Sequence, residues 1–237
     1  MTVKIGAVIL SRMDSTRLPG KALIDVDGRP LLSYVLSFCQ KINNLDSIAI
    51  ATSTRAVDDP LSDFADVQGI PCIRGSLDNV AERFLLAMET LNLDAAVRIN
   101  GDSPLNNTQI LSDGIRLFRR GNLDLVSNLP ARTYPYGMSV EVVRRKAMKY
   151  ACSMMIDAQH REHVTKYFYD NQDKFDISLM TSEVAEFSGV QLAIDTREDL
   201  DRFEWIIGNL EGDPADSDIA SLVKLANAYS LNTGKRE

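Results

Sequence analysis

The chain has 237 residues, 45% hydrophobic and 25% charged, the size and composition of one α/β domain with a full core. Its net charge of -7 argues against a broad nucleic-acid face, which needs an excess of Lys and Arg, but allows a small anion met by a local cluster of cations. Three scattered cysteines and two histidines leave almost no room for a His/Cys zinc site and suit a reducing cytosol. No leader pattern opens the sequence and no apolar run approaches a membrane span, so a cytoplasmic protein without membrane contact is expected.

Residues 3–10 (V-K-I-G-A-V-I-L) read as a buried strand, followed by a polar loop to about Gly28. Pro30 starts a helix whose apolar stripe runs from Leu31 to Ile42. Residues 47–52 are a second strand, and Asp59-Pro60 opens a second helix. Residues 71–74 form a short strand. The helical stripe of Val80, Phe84, Ala87, Met88 and Leu91 follows, with Asp78 as its expected cap. A strand at 94–99, a helix at 107–120 stopped by Gly121, and a strand at 123–126 continue the alternation. Strand-helix alternation of this kind predicts a parallel sheet wound with helices on both faces.

Beyond Asn128 the pattern changes. Residues 139–143 are strand-like, helices are expected over 145–158 and 161–171, and 175–180 alternates as a half-exposed strand. Residues 190–194 read as a buried strand, followed by a helix carrying Leu200, Phe203, Ile207 and Leu210 and a last helix over 216–229. The expectation is one domain over 1–237 with a small arm inserted near 130–185, for an acceptor or a dimer contact.

Three places carry candidate chemistry. The loop Ser11-Arg12-Met13-Asp14-Ser15-Thr16-Arg17-Leu18-Pro19-Gly20-Lys21 follows the first strand, where ligands bind in wound parallel sheets. Its cations Arg12, Arg17 and Lys21, among small hydroxyls, suit a triphosphate, although the P-loop spacing is absent. A solvated basic loop has the same composition. Asp102, in Asn100-Gly101-Asp102-Ser103-Pro104, and Asp195, before Thr196, each follow a predicted strand and should edge one crevice. Two carboxylates beside phosphates are a donor set for Mg²⁺, while a turn role for Asp102 and a helix-cap role at Asp195-Thr196 remain open.

The runs S-T-R-L-P-G-K, R-G-S-L-D-N-V-A-E-R-F, R-I-N-G-D-S-P-L, R-E-H-V-T and I-D-T-R-E-D-L, in this order over nearly the whole chain, resemble the cytidylyltransferases. The likeness is to the spore coat polysaccharide branch, allied to enzymes that make CMP-Kdo and CMP-sialic acids. The resemblance implies a Rossmann-like, mostly parallel α/β fold, CTP as donor, an acidic sugar as acceptor, Mg²⁺ on Asp102 and Asp195, and a homodimer. It implies a nucleotide site of Ser11, Arg12, Ser15, Arg17, Lys21, Arg74, Ser76, Arg83 and Asn100, with Arg12, Lys21, Asp102 and Asp195 carrying the reaction. For the acceptor the candidates are Arg132, Tyr134, Tyr136, Glu141, His160, Arg161 and His163, His163 also for deprotonation. Where the family pattern reads D-G-L-D-V-E, this chain has Tyr136-Gly137-Met138-Ser139-Val140-Glu141, so two acids are replaced. A metal-dependent glycosyltransferase would share the fold class, but its D-x-D pair is absent at Asp102-Ser103-Pro104; a non-catalytic homologue would keep the fold alone.

Overall fold

The computed structural model describes residues 3–43 and 45–234, and the domain expected over 1–237 is described within those bounds. Among them the strands are β1 (Ile5–Leu10), β2 (Asp25–Val26), β3 (Arg29–Pro30), β4 (Ser47–Ser53), β5 (Cys72–Gly75), β6 (Ala95–Asn100), β7 (Leu125–Ser127), β8 (Glu141–Arg144) and β9 (Ile177–Leu179). The helices are α1 (Leu31–Lys41), α2 (Asp59–Gln68), α3 (Val80–Thr90), α4 (Thr108–Arg120), α5 (Arg145–Met154), α6 (Ala158–Glu162), α7 (Lys166–Asp170), α8 (Arg197–Asn209) and α9 (Ile219–Asn232). Seven strands make the main sheet in the order β5-β4-β1-β6-β8-β7-β9, and β2 with β3 forms a separate ribbon. The pairs β5-β4, β4-β1, β1-β6 and β7-β9 are parallel, whereas β8 runs antiparallel to both its neighbours.

The alternation of β1 sorts the core. Ile5, Ala7 and Ile9 face a layer with α1, α2, α4, α8 and α9, while Val8 faces a layer with α3, α5 and α7. Both faces are covered by helices, as parallel strands rich in β-branched residues require. Chain order reverses direction at β1, which pairs with β4 on one side and β6 on the other. That switch point opens a crevice at the carboxyl ends of β1 and β6, where ligands bind in such sheets. Among the described residues no helix is long and apolar enough to cross a membrane.

The second half departs from expectation in four places. Residues 130–185, expected as an inserted arm, give β8 and β9 to the main sheet. The helix expected over 161–171 is divided into α6 and α7, because Val164 lies in the left-handed region with φ 25° and Thr165 turns its hydroxyl to the buried Glu141. Residues 190–194 are no strand of the sheet. Their alternation does bury Val190, Leu192 and Ile194, but as a strap: Tyr136 N–H donates to Val190 O, Leu192 N–H to Tyr136 O and Ile194 N–H to Asp102 O, each at 2.8 Å. The last helix begins at Ile219, capped by Asp218, after a 3-10 turn at Pro214–Asp216.

Candidate active site

Register brings the first two candidate segments together. Leu10 pairs with Asn100 at the end of the β1-β6 ladder, so Ser11 and Gly101 leave the sheet side by side. Gly101 N–H donates to Leu10 O at 2.9 Å. A Cβ on Gly101 would sit 2.8 Å from both Cβ and Oγ of Ser11, so the approach requires glycine here. The loop then folds back: Gly20, with φ 73°, donates its N–H to Met13 O at 2.8 Å and delivers Lys21 on a 3-10 turn.

Lys21 is the hub. Its Nζ lies 3.1 Å from Asp102 Oδ2, 3.1 Å from Asp195 Oδ1 and 2.6 Å from Ile194 O. Arg17 reaches the same Asp195 oxygen at 3.0 Å. The two acids therefore converge on one point from opposite sides of the crevice. Asp195 is placed by its own helix start. The buried Asp199 accepts from the backbone N–H groups of Asp195 and Thr196 at 3.0 and 2.9 Å, and Thr196 caps α8 in a reciprocal capping box with Asp199. Thr196, rather than Asp195, is the cap, which leaves the Asp195 carboxylate for the crevice.

Two residues without an expected role shape this loop. Asp58 is fully buried, accepts from Met13 N–H at 2.7 Å and from Ser53 Oγ–H, and pairs with Arg55 at 3.7 Å. Arg55 in turn holds Asp14 at 2.5 Å, and Asp14 pairs with Arg12 at 3.6 Å. The cation-bearing loop thus hangs from one buried carboxylate.

A cavity of about 350 Å³ opens here, lined by Ser11, Arg12, Ser15, Arg17, Lys21, Arg83, Asn100, Asp102 and Asp195, with Arg98, Glu162 and His163 on the far side. Nine of the residues proposed for nucleotide and metal are thus in one place. Arg83 enters from α3, whose cap is Asn79 rather than Asp78: Asn79 Oδ1 accepts from Glu82 N–H at 3.0 Å. Phe84 and Met88 anchor that helix, each fully buried and each worth about 1.5–3 kcal/mol. Arg83 Nη1 donates to Ser76 O at 2.7 Å, and its Nε has no partner among the described residues. Burial lowers the Arg83 pKa to about 10, and the nearby Arg12 charge pushes the same way. Arg83 remains a cation near neutral pH, desolvated and without a carboxylate partner among the described residues.

Arg74 and Ser76, expected at the nucleotide, do not line this cavity. Arg74 is turned to Ser53 O and Arg55 O at 2.9 and 2.8 Å and to Asp59 at 2.6 Å. Ser76 contributes through its backbone, as the carbonyl that fixes Arg83, while its hydroxyl accepts from Asn79 N–H.

A cytidylyltransferase family model matches residues 7–224 of the chain. The chain belongs to the cytidylyltransferase family. It is 28% identical over 238 residues to the spore coat polysaccharide biosynthesis protein SpsF of Bacillus subtilis, covering 97% of each chain. It is 32% identical over 114 residues to the 3-deoxy-manno-octulosonate cytidylyltransferase of Pelobacter propionicus, covering 48% of this chain and 44% of that one. Among solved structures it is similar to a cytidylyltransferase from Leptospira borgpetersenii, with TM-score 0.87 and 28% identity over 98% of this chain and 96% of the other. The enzyme is a CTP-dependent nucleotidyltransferase with the family's mostly parallel α/β fold.

In this cytidylyltransferase a second cavity, about 530 Å³, adjoins the first and shares Arg98, Asn100 and His163 with it. Leu129, Pro130, Arg132, Ser139, Thr165, Lys166 and Tyr169 complete its wall. Of the residues expected at an acceptor, His163 and Arg132 line this space. Tyr134 and Tyr136 line a small recess beyond it, which Arg132 and Ser139 share. His160 and Arg161 line none of the three. His160 is bonded to Asp170 at 2.8 Å and packed edge-on against Tyr167, and Arg161 Nη2 donates to Met155 O at 3.4 Å. Glu141 is not a surface contact either. It is fully buried beneath the cavity, where its carboxylate takes the Arg98 guanidinium, the Thr165 hydroxyl and, at 2.7 Å, the Tyr169 hydroxyl. Burial, with the Glu141 charge beside it, holds the Tyr169 phenol well above its ordinary pKa, so it stays a donor.

Proposed function

We propose that this enzyme transfers CMP from CTP to a hydroxyl of an acidic sugar, of the ulosonic or nonulosonic class, and releases pyrophosphate for cell-surface polysaccharide synthesis. The observation that carries the reading is the pair of adjoining cavities, one walled by Arg12, Arg17, Lys21 and Arg83, the other by Arg98, Arg132 and Lys166. A polyanionic donor and an anionic acceptor each meet cations, and the seam between them is where the hydroxyl would face the α-phosphorus. The name of the Pelobacter relative supports an ulosonic acid as acceptor, and that of the Bacillus relative supports polysaccharide synthesis.

Asp102 and Asp195 suit Mg²⁺. Their carboxylates converge on one ammonium, each side chain is about a third exposed, and oxygen donors are what this hard cation takes. Among the described residues no cluster of three or more His, Cys, Asp or Glu side chains could hold a metal, so the remaining ligands fall to phosphate and water. Bound there, the ion supplies charge neutralisation at the triphosphate. The chain's own cations do the rest: Arg12, Arg17, Lys21 and Arg83 offset the charge that gathers on the departing pyrophosphate. The acceptor oxygen forms its bond to the α-phosphorus as the bond to the β-phosphate oxygen breaks. His163, on both cavities, is placed to take the hydroxyl proton.

A screen of pyrophosphate release, crossing four nucleoside triphosphates with neutral sugars and keto-acid sugars, tests the reading. Release with CTP and an acidic sugar is expected; release only with neutral sugars, or with none, would refute it. In the productive pair, Asp102→Asn and Asp195→Asn should each lose most turnover while staying folded, since metal-borne charge stabilisation is worth several kcal/mol. Full activity in either variant removes that acid from the metal site. The same reading has the enzyme work in the cytoplasm, where CTP is available, as a homodimer; a single-chain mass by light scattering at assay concentration would refute the dimer.

A further inference from the structure

Arg98 lies at the seam of the two cavities, and the reading above counts it only as one of three cations on the second. It projects from β6 on the same side as Asn100, two residues nearer the strand's end, and with Asn100 and His163 it lines both spaces. Its guanidinium is held from below. Nη1 pairs with the fully buried Glu141, whose other oxygen is engaged by Thr165 and Tyr169. Nε is shielded from water and has no acceptor. Among the described residues, then, Nη1 alone of the three nitrogens has a protein partner, and the Nε–Nη2 edge is left unmatched. A shielded donor without an acceptor is costly unless a ligand supplies one. That edge carries two parallel N–H groups, the geometry that takes a carboxylate with both oxygens once a small shift of the side chain uncovers Nε. The other cations of the second cavity are less suited. Lys166 is paired with Asp170 at 2.8 Å, and Arg132 is exposed, over the Tyr136 ring.

We infer that Arg98 is the anchor for the acceptor's carboxylate and that Glu141 is the positioning residue that holds Arg98 in place. The inference rests on the acidic-acceptor reading above. Because Arg98 sits on a strand that also supports Asn100 and Asp102, a carboxylate docked on it is referenced to the same β6 end as the triphosphate site. Binding through a preorganised side chain avoids the ordering cost that a free surface arginine would incur.

The test uses the keto-acid sugar found by the screen together with its methyl ester. In the wild-type enzyme the acid should be preferred. Arg98→Met should raise the acceptor KM roughly 30- to 100-fold, leave the CTP KM within about twofold, and bring the acid-to-ester preference close to one. Arg98→Lys, which keeps the charge and loses the fork, should fall between the two and serves if the Met variant does not fold. Glu141→Gln should raise the acceptor KM with little change in kcat, and should add nothing further in the Arg98→Met background. If Arg98→Met instead raises the CTP KM and keeps the acid-to-ester preference, Arg98 belongs to the nucleotide and the inference is overturned. If Glu141→Gln adds its full effect to Arg98→Met, Glu141 does not act through Arg98. A wild-type enzyme that accepts acid and ester equally would overturn the acidic-acceptor reading itself, and the anchor with it.

Discussion

Gly101→Ala probes the joint on which the nucleotide cavity is built. The new Cβ would stand 2.8 Å from Ser11 Cβ, 2.8 Å from Ser11 Oγ and 3.1 Å from Leu10 O. Ordinary carbon contacts begin at about 3.5 Å, so the ends of β1 and β6 must part by about 0.7 Å. The bond from Gly101 N–H to Leu10 O spans that same gap. Overpacking of this kind costs roughly 1–3 kcal/mol. Gly101 does not have a positive φ, so alanine adds no backbone strain and restricts the unfolded chain, which returns about 0.4–1 kcal/mol. The net expectation is a destabilisation of about 0.5–2 kcal/mol, together with weakened CTP binding, because Ser11 and Asp102 flank the displaced joint. Urea denaturation measures the first and titration calorimetry with CTP the second. Adding Ser11→Gly removes two of the three clashing atoms and should recover most of the lost stability. A Gly101→Ala enzyme with unchanged urea midpoint and unchanged CTP affinity would refute the argument.

Three further outcomes are expected. Lys21→Ala should weaken CTP binding more than CMP binding; equal weakening in a side-by-side titration would place Lys21 at the ribose or base. Asp58→Ala removes a buried carboxylate that carries Met13 N–H, Ser53 and Arg55, and should cost roughly 3–5 kcal/mol in urea denaturation; a loss below about 0.5 kcal/mol would show that the loop does not depend on it. Asp218, the cap of α9, is held below its ordinary pKa of 3.8, first by the Ser221 backbone N–H and next by the Ser221 hydroxyl. A folded pKa below the unfolded one means stabilisation that is complete above the unfolded value and lost as the pH falls through the folded value. The Tm deficit of Asp218→Asn should therefore be full at neutral pH and shrink in acid; a deficit independent of pH would contradict it.

The first half of the fold was legible because its signals are local. Continuous apolar strands, the Gly121 helix stop and the Asp59-Pro60 helix start are each read over a few residues, and β1, β4, β5, β6 and their helices fall close to expectation. The second half failed where tertiary bonds override pattern. Residues 190–194 alternate like a strand, yet their backbone is claimed by Tyr136 and Asp102. The stripe around 161–171 is helical in period, yet Glu141 draws Thr165 inward and the chain turns at Val164. The same distinction holds at the site. Asp102 and Asp195 were visible as acids after apolar runs. Asp58, Arg98 and Asp199 were not, because nothing in their own neighbourhoods shows that they meet Met13, Glu141 and the Asp195 backbone. Glu141 is among the acceptor candidates, but a sequence gives no depth, and a buried carboxylate reads the same as an exposed one.

The strap at residues 190–194 has a mechanical consequence. At one end its Val190 and Leu192 are bonded to Tyr136, beside the acceptor recess; at the other, Ile194 is bonded to Asp102 and lends its carbonyl to Lys21. The recess at Tyr136 and the Asp102-Lys21-Asp195 cluster are thus tied to one short length of backbone. A ligand that moves Tyr136 should therefore shift the Asp102-Lys21-Asp195 cluster, and by thermodynamic reciprocity a ligand at that cluster should change affinity at Tyr136 by the same factor. The affinity for one substrate should accordingly change when the other is bound, and equal affinities with and without it would refute the coupling.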